Sequence, residues 1–206
     1  MPAHTRTTEL LARIDSQSII TNMQPVAGGG GAATADYLQS CILYTSAAAA
    51  LETTWQSNGW VCRQDYSHIT VFDVNSTLDD NDWRRGFMSA GGENKVYIES
   101  RNPGPGLSRI FSLNVNGTQA DFFAIAYTKA VWFRVYLSWG SSHVYVATVE
   151  RSSSGARETQ SITLAGGGIT SDAMHLFTGV TGTGGGARKL RVKDELCKQY
   201  ALDLTM

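Results

Sequence analysis

Charged side chains are scarce in this sequence. Asp, Glu, Lys and Arg make up 17% of its 206 residues, and the formal net charge at pH 7 is -1. Soluble domains usually carry about 25% charged residues. A chain so close to neutrality lacks the basic surface with which proteins bind nucleic acid through bulk charge, so we expect no nucleic-acid partner. The hydrophobic content of 42% is too high for an intrinsically disordered chain.

Paired cysteines and long apolar segments are missing too. Cys41, Cys62 and Cys197 are far apart and form no Cys-x-x-Cys motif. This argues against zinc, redox and haem sites and predicts reduced, buried thiols. Without a run of about 20 apolar residues, the sequence predicts no membrane span. The first residues lack the apolar segment of a secretory signal, so we expect no such signal, and the compartment stays open.

Proline is rare, with 4 residues, whereas many of the 21 glycines stand in runs. The run at 28–31 predicts a flexible hinge, because glycine loses the most backbone entropy when it is ordered. We expect residues 1–33 to form a polar N-terminal arm that contains this hinge and a short amphipathic helix at 9–20.

Residues 34–54 carry two conflicting signals. Thr34 can cap a helix that includes the alanines at 47–50, and alanine has the highest helix propensity. The segment Cys41–Thr45 contains β-branched and aromatic residues that favour a strand. We predict a helix over 34–54 and keep the strand as the alternative.

Short strand-like segments separated by turn residues fill residues 55–192. The clearest hairpin covers 130–149, where both faces carry apolar residues, which predicts two packed sheets. The gaps between segments are too short for the crossover helices of a parallel sheet. The predicted fold is mainly β, an antiparallel β-sandwich or jelly roll with an N-terminal helical or flexible extension. Residues 193–206 are predicted as a charged C-terminal tail: a short helix, a segment that pairs with a neighbour, or a solvated terminus.

The order of features from 69 to 192 resembles a known group of sandwiches. Residues 132–140 form a strand with an early tryptophan that passes through a glycine turn into 144–146, and 177–180 and 191–192 stand in the place of the last strands. This pattern resembles the concanavalin A-like and laminin-G-like sandwiches, and also the invertebrate farnesoic acid O-methyltransferase domain. For a laminin-G-like domain, the resemblance implies binding of glycans or proteins, often with calcium. It supplies no calcium ligands that match residue by residue.

Four residues of this region are the predicted ligand-binding set: Trp132, Arg134, Tyr136 and Tyr145. Aromatic side chains on one face of a sheet stack on sugar rings or cover the surface of a partner, so we predict a glycan or protein partner. Because large aromatic side chains are mostly buried, the alternative is that they fill the core. Single-stranded nucleic acid would need more cations than Arg134 beside them.

Asp79, Asp80 and Asp82 are the predicted metal ligands. They place several hard oxygen atoms in one short segment, as calcium requires. The segment lacks the spacing and the closing glutamate of an EF-hand loop. The alternative is a solvated turn, with no cofactor.

Catalytic motifs are not apparent. Glu99, Glu150 and Glu158 are isolated glutamates near predicted strands, and no two of them share a glycosidase motif. No Gly-x-Ser-x-Gly elbow occurs, and the histidines lack metal spacing.

These observations favour a non-enzymatic β-sandwich that binds a glycan or a protein, or that assembles with itself as a homo-oligomer. The second hypothesis is a viral or phage structural subunit of the capsid jelly-roll type, because such subunits often carry N-terminal arms. A carbohydrate-active hydrolase or lyase is the third.

Overall fold

The computed structural model describes residues 5–8, 23–27, 30–48, 52–57, 62–76, 82–105, 107–140, 142–165, 173–182 and 186–202. This part of the chain contains no helix, and therefore none that could cross a membrane. In chain order, the strands are β1 (Thr5–Thr8), β2 (Met23–Ala27), β3 (Ala32–Asp36), β4 (Cys41–Thr45), β5 (Glu52–Ser57), β6 (Cys62–Arg63), β7 (Ser67–Ser76), β8 (Trp83–Ser89), β9 (Lys95–Arg101), β10 (Ile110–Val115), β11 (Thr118–Phe122), β12 (Phe133–Trp139), β13 (Val144–Arg151), β14 (Arg157–Thr163), β15 (Ala173–Thr181) and β16 (Lys189–Leu202).

The strands form two antiparallel sheets, which we call sheet A and sheet B. Sheet A has the order β14-β13-β12-β7-β16-β4-β3, with β1 beside the C-terminal part of β16. Sheet B has the order β11-β10-β9-β8-β15-β5-β2, with β6 beside the start of β15. The predicted antiparallel β-sandwich is confirmed.

Alternation along each strand directs one set of side chains into the space between the sheets. In β12 of sheet A, Phe133, Val135 and Leu137 are fully buried, whereas Tyr136 is exposed. Phe111 from β10 of sheet B meets Phe133 across this space, with ring centroids 4.9 Å apart. Burial of one such side chain contributes about 1.5–3 kcal/mol. The core therefore holds the two sheets face to face.

The helix predicted over 34–54 is wrong. The structure places β3, β4 and the start of β5 in this segment, and the alternative strand through Cys41–Thr45 is confirmed. Pairing with β16 and β3 buries Ile42 and Tyr44 of β4 almost completely. Helix propensities differ by only about 0.7 kcal/mol per ordinary residue, which is less than the free energy gained by burying one large side chain. Tertiary pairing therefore overrides the local preference.

The predicted C-terminal tail at 193–206 is also corrected. Its described residues belong to β16, which lies between β7 and β4 inside sheet A. Val192 and Cys197 are buried in this strand. The register with β7 shifts between Asp194 and Leu196, and this irregularity interrupts the simple alternation that marks a strand in a sequence.

The predicted N-terminal arm contributes strands to both sheets, because β1 pairs with β16 and β2 pairs with β5. The helix predicted at 9–20 lies outside the described residues, as do residues 28–29 of the predicted hinge. Gly31, in contrast, packs against the body of the fold. A Cβ atom there would lie 2.5 Å from Thr53 Cγ2 and 3.0 Å from Trp55 Cζ2. This glycine permits a close approach to the core.

Candidate ligand-binding site

Three of the four residues predicted to bind a ligand share the outer face of sheet A. Trp132 precedes β12, and Arg134 and Tyr136 lie at the outward positions of that strand. Tyr145 is fully buried, opposite Trp139 in the register of β13 with β12. Because successive side chains of a strand point to opposite faces, Tyr145 fills the core. This corrects the predicted set, which the structure divides between two faces.

A row of alternating charges crosses the outer face of sheet A. In the strand register it consists of Lys193, Asp73, Arg134, Glu150 and Arg157. Arg134 donates hydrogen bonds to both carboxylate oxygens of Asp73, at 2.8 and 2.9 Å. The Nζ atom of Lys193 lies 4.6 Å from the ring centroid of Trp132. Arg134 and Trp132 thus already have protein partners, and ligand binding by them stays a prediction.

The predicted calcium ligands divide between described and undescribed residues. Asp79 and Asp80 lie outside the described part of the chain. Asp82 forms an ion pair with Arg109, and its side chain is 51% exposed. Within the described residues, no group of three His, Cys, Asp or Glu side chains could hold a metal ion. Calcium binding stays a prediction, and Asp82 is the only one of its three predicted ligands among the described residues.

Two of the three isolated glutamates, Glu150 and Glu158, contact other groups of the protein with their carboxylates. The carboxylate of Glu158 accepts hydrogen bonds from consecutive backbone N–H groups, those of Phe123, Ala124 and Ile125. Glu150 lies 3.5 Å from Arg157 in the charged row of sheet A. Both carboxylates therefore already have partners within the protein.

The third glutamate, Glu99 on β9, belongs to a polar network on the outer face of sheet B. Its side chain is only 8% exposed, and its Oε2 atom lies 3.4 Å from Arg84 Nε. Gln119 Nε2 donates a hydrogen bond to Glu99 Oε1 at 2.8 Å. Burial raises the pKa of Glu99 above its ordinary value, while Arg84 and Gln119 favour the charged form. The network therefore holds a desolvated carboxylate in a defined orientation.

Arg84 on β8 connects this carboxylate to a second one. Its Nη1 atom donates a hydrogen bond to Glu52 Oε2 on β5 at 3.2 Å. Strand β15 lies between β8 and β5, and its Gly179 stands opposite Arg84 in the register. The absence of a side chain at Gly179 lets Arg84 and Glu52 meet above the strand. The guanidinium carbon lies 5.7 Å from the ring centroid of Tyr97, a distance that allows a cation–π interaction.

An open cavity of about 370 Å³ adjoins the network where β8 begins and where β9 and β15 end. We call it the sheet B cavity. It is lined by Asp82, Trp83, Arg84, Glu99, Ser100, Arg101, Asn102 and Thr181. Arg101 donates to both carboxylate oxygens of Asp121, at 3.2 and 2.5 Å. The cavity thus has guanidinium donors beside carboxylate acceptors.

This arrangement suits a ligand rich in hydroxyl groups. A hydroxyl both donates and accepts hydrogen bonds, so it can bridge a guanidinium and a carboxylate. Hydrogen bonds to charged groups are stronger than those between neutral groups. Trp83 and Tyr97 are 1% and 6% exposed. Both rings are therefore too buried to stack on a ligand.

Sequence reasoning missed the sheet B cavity. The signal available was a charged residue inside an apolar strand, as Glu99 is within Lys95–Arg101. The register of β8 with β9, which places Arg84 opposite Glu99, could not be read from local pattern. Glu52 reaches the same place through a third strand that is distant in sequence.

The two packed antiparallel sheets have the fold of a concanavalin A-like β-sandwich, as the likeness to solved structures shows. The resemblance noted from residues 132–140 is confirmed at this level, and its laminin-G-like and farnesoic acid O-methyltransferase parts are not confirmed by the structural neighbours. No protein-family model and no curated protein sequence matches the chain.

Solved structures of plant lectins share this fold. The acidic lectin of winged bean, complexed with methyl-α-D-galactose, is 11% identical with a TM-score of 0.61, covering 87% of this chain and 93% of its own. Lectin I-B4 from Griffonia simplicifolia, in a metal-free form, is 10% identical with a TM-score of 0.59, over 97% and 99% of the two chains. Lectin I from Ulex europaeus, in complex with the methyl glycoside of α-L-fucose, is 14% identical with a TM-score of 0.57, over 88% and 92%. At these identities the likeness shows the fold alone.

Proposed function

We propose that this protein is a non-enzymatic carbohydrate-binding protein whose ligand occupies the sheet B cavity. The observation that carries the proposal is the network in which Arg84 and Gln119 orient the buried carboxylate of Glu99 beside an open cavity. Such preformed pairs of donors and acceptors bind sugar hydroxyls without reorganisation, which reduces the entropic cost of binding.

Two further observations support a carbohydrate ligand. The lectin from winged bean was solved with a methyl galactoside and that from Ulex europaeus with a fucoside, so the same sandwich carries sugar sites in those proteins. The cavity of about 370 Å³ is also within the range of small-molecule sites, roughly 300–1,000 Å³.

The same geometry disfavours glycoside hydrolysis. A glycosidase needs two carboxyl groups with the glycosidic bond between them, one as acid and one as nucleophile or base. Arg84 lies between Glu52 and Glu99 and contacts both, at 3.2 and 3.4 Å. Its guanidinium therefore occupies the space that the scissile bond would require.

Binding of the full chain to a panel of defined oligosaccharides tests the proposal. We expect at least one glycan to bind, and we expect Arg84→Lys and Glu99→Gln to weaken that binding. A hydrogen bond to a charged group contributes about 1.5–3 kcal/mol, which corresponds to roughly a 10- to 150-fold increase in Kd. The matched control is Arg157→Lys, because Arg157 is an exposed arginine on the outer face of sheet A. Thermal unfolding of each variant verifies that it is folded.

Other outcomes would contradict the proposal in distinct ways. If Tyr136→Ala abolishes binding and Arg84→Lys does not, the ligand site is the predicted aromatic face of sheet A. If the panel shows no binding, the carbohydrate function is wrong. If incubation releases reducing ends from a bound glycan, the protein is an enzyme.

A further inference from the structure

The charges around the sheet B cavity restrict the class of glycan that it can bind. We infer that the cavity accepts uncharged glycans and rejects glycans that carry a carboxylate or a sulfate group there. This inference rests on the proposed carbohydrate-binding function.

Among the described residues, each arginine that lines the cavity or pairs with a lining residue has an acidic partner. The pairs are Arg84 with Glu52 and Glu99, Arg101 with Asp121, and Arg109 with Asp82. In these described pairs, three positive side chains stand against four negative ones, which leaves one net negative charge at neutral pH. A ligand anion would enter a site whose positive charges are fully compensated.

An anion could displace one of the resident carboxylates only at a cost. Glu99 is 8% exposed and Asp121 is 18% exposed, so water would solvate either carboxylate poorly after its arginine turned to a ligand. A buried charge without a partner is strongly unfavourable. Glu52 is more accessible, at 29%, but its release would still leave the site with an excess of negative charge.

A neutral hydroxyl avoids this cost. The described ion pairs of Arg84 use Nε and Nη1, and those of Arg101 use Nε and Nη2. As far as the described residues show, one terminal nitrogen on each guanidinium therefore remains for a ligand. The side chains of Arg84 and Arg101 are 42% and 31% exposed. A hydroxyl can accept from these nitrogens while every resident ion pair stays intact.

The closing experiment compares matched glycans on the full chain. The probes are a set of neutral oligosaccharides and the same oligosaccharides with a terminal sialic acid or a 6-O-sulfate, and Kd is measured by isothermal titration calorimetry. We expect each bound neutral glycan to bind at least 10-fold more tightly than its acidic counterpart. Glu52→Gln keeps an oxygen for Arg84 and removes one negative charge, so it should decrease the ratio of the Kd of the acidic glycan to that of the neutral glycan. Glu150→Gln removes the same charge from sheet A and should leave the ratio unchanged.

The outcomes distinguish the selectivity for neutral glycans from the carbohydrate-binding function itself. The inference is supported if the ratio of acidic to neutral Kd is large in the wild-type protein and in Glu150→Gln and smaller in Glu52→Gln. Equal or tighter binding of the acidic glycans overturns the inference while the carbohydrate function stands. Absence of binding to both sets overturns the carbohydrate function itself.

Discussion

Glu158 on β14 accepts a hydrogen bond of 3.1 Å from the backbone N–H of Ile125, and this bond joins the edges of the two sheets. The same carboxylate accepts hydrogen bonds from the N–H groups of Phe123 and Ala124, at 3.1 and 2.8 Å. Strand β14 is an edge of sheet A, and Phe123 follows directly after β11, an edge of sheet B. One side chain therefore connects the edges of the two layers.

Glu158→Gln should destabilise the fold. The amide has one acceptor atom where the carboxylate has two, and its NH2 group cannot accept from a backbone N–H. We expect the free energy of unfolding in urea to fall by about 1–3 kcal/mol. Glu150→Gln is the control: Glu150 pairs with Arg157, whose side chain is 68% exposed, and the change should cost less than about 1 kcal/mol. Equal losses in the two variants would show that the contacts with the 123–125 backbone carry no special stability.

Gly86→Ala should also destabilise the fold, for a steric reason. A Cβ atom at Gly86 would lie 2.2 Å from the backbone oxygen of Val96 and 2.6 Å from Tyr97 Cα. The clash is with backbone, so β8 and β9 would have to separate, at a cost of about 1–3 kcal/mol or more. Gly186→Ala is the control, because a Cβ atom there meets nothing within 4 Å. A Gly86→Ala variant with an unchanged urea midpoint would contradict the close strand packing.

Much of the sandwich could be predicted from local alternation. The hairpin β12–β13 shows it directly, since buried Phe133, Val135 and Leu137 alternate with outward side chains. The cysteines are buried, as their type predicts, and in the described structure none of the three forms a disulfide. Local signals did not predict a strand where they were ambiguous, as in β4 close to the alanines at 47–50, or interrupted, as at the register shift in β16.

The candidate site could not be predicted in the same way, because it depends on which strands become neighbours. Arg84, Glu99 and Glu52 come from β8, β9 and β5, and only the sheet order brings them together. The aromatic residues were predicted to bind a ligand because of their residue type alone. Yet Tyr145 lies in the core, and Trp132 packs under Lys193. Residue type alone does not tell whether a side chain faces a ligand or the protein.

His68 should make the stability of the protein depend on pH. Its ring lies in the core, stacked 4.3 Å from Trp139, and its Nε2 atom is 3.5 Å from Cys197 Sγ. Burial lowers the pKa of His68 from 6.5 to about 3. Below pH 6.5 the unfolded chain takes up a proton that the native protein does not, so stability falls with pH until about pH 3. The fall should approach about 1.4 kcal/mol per pH unit.

The measurement is urea unfolding from pH 7 to pH 4 for the wild type and for His68→Phe, which keeps a ring against Trp139. Carboxylates contribute equally to both proteins, so the difference between the two curves isolates His68. We expect the free energy of the wild type to fall relative to that of the variant as the pH decreases. Parallel curves would mean that His68 is protonated equally in the native and unfolded states.

Gly179→Ala should weaken ligand binding with little effect on stability. A Cβ atom at Gly179 would lie 2.0 Å from Glu52 Oε1, which is the end of a flexible side chain and can move into solvent. Its departure breaks the ion pair with Arg84, and an exposed pair contributes only about 0–1 kcal/mol to stability. Arg84 then loses the contact that orients it at the sheet B cavity. Losing about 1 kcal/mol of preorganisation would raise the Kd of a bound neutral glycan roughly 5-fold.

A double-mutant cycle tests whether this effect passes through Glu52. Glu52→Ala should raise the Kd by a similar factor, and adding Gly179→Ala to it should have no further effect, because the displaced carboxylate is already absent. Calorimetric titration with the same neutral glycan gives all four Kd values. Additive losses in the double variant would show that Gly179 acts on the cavity by a route other than displacement of Glu52.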